Sequence, residues 1–100
     1  VAINLPRFIL IGGIKFRIVI AKIDDYGQMS FDDKEIRISK ECLNNDKMLL
    51  DTLRHEMLHA SLAVAGHSWS SKIDEEPIVR SIENIFFPAL DVLMNKINKL

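Results

Sequence analysis

The chain reads as an α+β fold, with strands in its first part and helices in its second. Three observations predict this. Apolar and polar residues alternate over residues 14–20 and again over 35–39, the period of half-buried strands. From Asn45 onward the apolar positions recur at steps of three and four, the period of a helix. A length of 100 residues, 48% hydrophobic and 27% charged, suits one domain with one modest core. The expectation is a single unit over residues 1–100. In it a small three- or four-stranded sheet, antiparallel or mixed, packs on one long helix, followed by a second and a C-terminal helix.

The elements follow in order. An apolar run at residues 8–11 precedes Gly12-Gly13, a turn, and then the strand at 14–20. Asp24-Asp25-Tyr26-Gly27 is a second turn cluster, and residues 28–31 are a short strand. Asp32-Asp33-Lys34 joins that strand to residues 35–39, which suggests a β-hairpin. Asn45 is an N-cap for a helix whose apolar stripe includes Leu49, Leu53, Met57 and Leu62, and Gly66 ends it. Residues 67–72, rich in serine, form a loop. Asp74 caps the next helix, with Glu75, Glu76 and Pro77 in its first turn. Pro88 is expected to kink or end that helix, with residues 89–100 helical again.

Composition excludes several classes. Thirteen basic and 14 acidic residues give a net charge of −1, without the basic surplus of a nucleic-acid binder. No apolar run reaches the roughly 18 residues of a membrane span. The one cysteine, Cys42, allows no internal disulfide, which points to a reducing, cytoplasmic setting. Its default role is that of a small structural thiol.

The chemistry is concentrated in His55-Glu56-Met57-Leu58-His59. This H-E-x-x-H pattern falls inside the predicted helix, the context the motif requires. Histidines four apart share a helix face, about 6 Å apart along the axis, so both rings can reach one ion. Glu56 leans over the same edge, placed as a general base toward a water that bound zinc would activate. Catalytic zinc ordinarily takes a third protein ligand. The extended pattern with a third histidine fails, because Leu62 and Ala65 stand at its glycine and histidine positions. His67 lies too far up the helix to join without a chain reversal. The second helix is the better source, with Glu75 and Glu76 in its first turn. Glu75 shares a register with Val79, Ile82 and Phe86, so periodicity turns it toward the core. Glu76 shares a more polar line with Arg80, Glu83 and Phe87.

These residues resemble the gluzincins, zinc peptidases with H-E-x-x-H on one helix and a ligand glutamate on a following helix. The resemblance is nearest to the single-domain minigluzincins and to compact zinc peptidase-like proteins of phages and mobile elements. It runs from the strand features around Gly27 and residues 35–38, through residues 51–60, to residues 74–84. It implies Zn2+ held by His55, His59 and Glu76, with Glu56 as general base. Glu75 is the close alternative, favoured by periodicity. Glu83 departs from the resemblance, standing where the family has a small residue. The family's second lobe, which stabilises the oxyanion, has no counterpart after Glu76. His67 and Tyr26 are the candidates for that duty.

The expected function is therefore a zinc metallopeptidase acting on a peptide or protein substrate, weak, latent or narrow in specificity. Residues 28–31 would offer it an edge strand. The alternative is a zinc-containing binding or regulatory module without robust proteolysis. No nucleic-acid or membrane partner is expected. The apolar series of Phe86, Phe87, Leu90, Leu93, Met94, Ile97 and Leu100 reads as core, with a homodimer contact or a cover over the cleft as alternatives. Trp69 reads as a loop anchor or as a rim that touches substrate.

Overall fold

The computed structural model describes residues 4–66 and 74–98. Four strands come first: β1 (Phe8–Ile11), β2 (Ile14–Ala21), β3 (Gly27–Ser30) and β4 (Glu35–Ser39). They form one mixed sheet in the order β1-β2-β4-β3. β1–β2 and β3–β4 are antiparallel, whereas β2 and β4 run parallel. The expected hairpin of the third and fourth strands is present, closed at Lys34 with φ 52°. Gly12 and Gly13 close the first hairpin, both at positive φ, as a two-residue turn between Ile11 and Ile14 demands.

Alternation along the strands sorts the two sheet faces. Phe16, Ile18, Ile36 and Ile38 are buried, while Lys15 and Arg17 on β2 stay exposed. On the outer face Arg17 pairs with Glu35, and Arg37 with Glu35 and Asp33. Arg17 and Asp33 are exposed, so the pairs they make contribute little to stability. The inner face packs on α1 (Asp46–Val64), whose Leu49 and Ala60 are fully buried. Each large apolar side chain buried there contributes about 1.5–3 kcal/mol. A 3-10 turn (Lys40–Asn44) leads in, and the Asn45 side chain caps α1 by accepting from the Met48 amide at 3.1 Å. α1 gives way at Gly66, φ 86°, whose amide donates to the Ala63 carbonyl.

The second helical region starts at α2 (Glu75–Ser81), capped by the Asp74 side chain accepting from the Glu76 amide. It continues through a π-helical turn (Ile82–Phe86) into α3 (Phe87–Asn98). Of the two outcomes expected at Pro88, a kink or an end, the end is the one the structure corrects. The helix does not end and restart there. The residues flanking the π turn keep helical dihedrals, and the Phe87 amide donates to the Ile82 carbonyl five residues back. Proline removes one backbone donor and crowds the carbonyl four residues before it, here Asn84. That carbonyl lies within the widened turn, so the perturbation is absorbed without a break. The expected loop at 67–72, with His67 and Trp69, lies outside the described residues, as does Leu100. Among the described residues no helix is long and apolar enough to cross a membrane.

Candidate metal centre

A cleft of about 560 Å³ opens between the β3 end of the sheet, α1 and α2. Thr52, His55, Glu56 and His59 line it from α1, which follows from their three- and four-residue spacing. Asp25, Tyr26 and Gly27 come from the turn before β3, and Glu76 and Glu83 from the second helical region. The turn is tied down from behind. The Tyr26 carbonyl accepts from the Ser39 amide at 2.7 Å and from the buried Cys42 thiol at 3.6 Å. Cys42 thus fills the structural role expected of it.

Gly27 sets how closely β3 approaches α1. A Cβ there would stand 2.7 Å from Thr52 Cγ2 and 3.0 Å from Glu56 Cγ. Its absence lets the strand lie against the Glu56 side chain, which is 8% exposed. Burial raises the Glu56 carboxyl above the ordinary glutamate range. His55 and His59 pull it down, while Glu76 and Asp25 push it further up.

His55, His59 and Glu76 converge and could hold a metal ion. The two Nε2 atoms are 3.3 Å apart. Glu76 Oε1 lies 2.8 Å from His59 Nε2 and 3.9 Å from His55 Nε2. Donors on a tetrahedral zinc at its usual bond lengths stand about 3.4 Å from one another, so these three fit. Chemistry supports the fit as well. His59 Nδ1 is 2.7 Å from Glu75 Oε1, and His55 Nδ1 is 3.0 and 3.1 Å from the two Glu83 oxygens. An ionised carboxylate only accepts, so where each Nδ1 donates to its glutamate each Nε2 turns a lone pair inward, that of His59 toward the Glu76 oxygen 2.8 Å away. Two lone pairs and a carboxylate oxygen then face one point, an arrangement that a cation or a captured proton resolves. His59 accordingly holds its proton more tightly than a free histidine. Burial opposes this, but the Glu75 hydrogen bond and the charges of Glu56, Glu76 and Glu75 outweigh it.

The two glutamates between which the sequence does not choose have different positions. Glu76 lies with the Nε2 atoms, and Glu75 lies behind His59, on the core-facing line that periodicity gives it. Glu83 is the site residue missed by sequence reasoning. Its signal was the seven-residue step from Glu76, which returns to nearly the same helix face. Tyr26 lines the cleft, and His67 lies outside the described residues. Against protein-family models, curated proteins and solved structures the chain has no match.

Proposed function

We propose that the protein is a zinc-dependent peptidase of minimal gluzincin type. The observation that carries this reading is the convergence of His55 Nε2, His59 Nε2 and Glu76 Oε1 beside the buried Glu56 side chain. Zinc held by those three would supply Lewis-acid activation of a water and of the scissile carbonyl. Glu56, with its proton affinity raised by burial, accepts the proton of the attacking water and returns it to the leaving amine. β3 is an edge of the sheet and its Gly27 lines the cleft, so its outer backbone is available to an extended peptide. Tyr26, the one tyrosine of the chain, is the cleft phenol that can donate to a developing oxyanion.

The test couples metal content to cleavage. The purified chain is expected to hold one zinc and to cleave short peptides. Glu56→Gln is expected to keep the zinc and abolish cleavage. Tyr26→Phe is expected to keep the zinc and slow turnover. Loss of metal in Glu56→Gln would make Glu56 a ligand and overturn the assignment. A second reading, a zinc-held binding module, is favoured by one observation. Ile85, Phe86, Val92, Leu93, Met94 and Ile97 are all at least 46% exposed along the second helical region. A zinc-loaded wild type that cleaves nothing across a broad peptide screen would select it.

A further inference from the structure

We propose that Glu75 and Glu83 are positioning residues that fix the tautomer and aim of the two histidines. This rests on the metal reading of the site. Both carboxylates sit on the region that also carries Glu76, one at each end of the site. Glu75 Oε1 lies 2.7 Å from His59 Nδ1, and the two Glu83 oxygens lie 3.0 and 3.1 Å from His55 Nδ1, so each carboxylate is placed to accept from that nitrogen. They are less exposed than Glu76, with side chains at 20% and 25% against its 45%. The division of labour follows from geometry. Glu76 offers its oxygen to the Nε2 side, whereas Glu75 and Glu83 lie against the Nδ1 atoms.

A neutral imidazole carries one proton, and the hydrogen bond made by one nitrogen decides which lone pair the other presents. With Nδ1 committed to a carboxylate, Nε2 is left bare and the ring cannot flip without breaking a charge-assisted bond. The negative partner also makes Nε2 a stronger donor to a cation. Position 83 acquires a specific purpose here. A small side chain there would leave the inner end of His55 without this partner. The π turn begins one residue before Glu83, a local winding that recurs at functional sites. One continuous helical region thus supplies a ligand and both orienting groups to two histidines on α1.

Nitrogen-15 spectra of the histidine rings test this in the metal-free protein, in alkaline buffer. Wild type is expected to show both rings protonated on Nδ1. Glu83→Ala should move the proton of His55 alone to Nε2, and Glu75→Ala that of His59 alone. Glu83→Gln and Glu75→Gln keep an accepting oxygen and should retain the wild-type tautomers, which covers the case of an alanine variant that fails to fold. Zinc affinity, measured by competition with a chelator, should fall about 10–100-fold in each alanine variant. It should recover in large part in the glutamine variants. A role limited to fastening the helices would not move a tautomer one ring at a time. Nε2-protonated rings in wild type, or alanine variants with wild-type zinc affinity, would overturn the positioning role and leave the metal reading standing. A wild type with the stated tautomers that takes up no zinc would instead overturn the metal reading, and the proposal with it.

Discussion

Residues 4–66 bury Phe16, Ile36, Ile38, Leu49 and Cys42 completely, whereas among residues 75–97 Val79 alone is buried to that extent and a row of large apolar side chains is open. The first region is held by a shared apolar cluster between sheet and α1. The second meets α1 through α2 and through polar partners, His59–Glu75 and His55–Glu83, with Arg54 stacked on Phe87 at 4.3 Å. The contrast teaches where stability and chemistry lie. The apolar cluster is drawn from residues 5–64, whereas the candidate metal centre takes Glu76 from the second region. Docking of α2 and assembly of the centre are therefore one event.

The largest effect that sharpens this contrast is loss of a core ring. Phe16→Ala should cost about 3–5 kcal/mol, whereas Leu93→Ala, on the open face, should stay within about 0.5 kcal/mol. Chemical denaturation measures both. Equal losses would show that α3 is packed as tightly as the sheet. Next is Gly27→Ala, which sets a methyl group against Thr52 and Glu56 and should cost about 1–3 kcal/mol. An unchanged midpoint would mean that β3 does not press on α1.

Removal of metal should separate the two regions without melting the first. Hydrogen exchange in chelator should quicken over residues 75–98 and stay slow in β2 and β4. Uniform quickening would break the comparison. The smallest effect is a pH slope. Glu56, raised by burial, and His59, raised by Glu75 and the nearby charges against burial, both bind protons more tightly folded than unfolded. The metal-free protein should therefore lose stability as pH rises from the ordinary glutamate range through the raised His59 value. On the proposed reading zinc would compete with the His59 proton, so metal uptake should strengthen over the same rise. Urea midpoints should fall with rising pH in chelator and should not fall with zinc, and an equal fall in both would contradict this.

Much of the scaffold was legible because one buried face imposes a period. Phe16, Ile18, Ile36 and Ile38 declare β2 and β4 by alternation, and Asn45, Gly66 and Asp74 mark helix ends by local chemistry that needs no tertiary partner. The β3–β4 hairpin was legible from its turn, but the parallel pairing of β4 with β2 was not. Alternation gives the face of β4 but not its place between β2 and β3. The π turn was hidden because Pro88 announces only a disturbance, and the widened winding precedes it. At the site, His55 and His59 were legible as a pair through their step of four. Glu75 and Glu76 differ by about 100° around the helix, and only the crossing of α2 over α1 decides which meets the Nε2 atoms. Glu83 looked like part of a polar stripe for the same reason: its partner lies on another helix.

The strand order carries a consequence for the rate of folding. β4 has one partner close by in the chain and one far off. β3 reaches it through the turn at residues 31–34, whereas the parallel ladder to β2 joins Arg17 to Glu35. The short hairpin closes on the microsecond scale, but the parallel ladder must first close a loop that rewards nothing until it is made. The transition state should hold β4 already lodged between its neighbours, with α3 still unformed. Ile38→Val should then slow folding, while Leu93→Ala should leave the folding rate untouched and act, if at all, on unfolding.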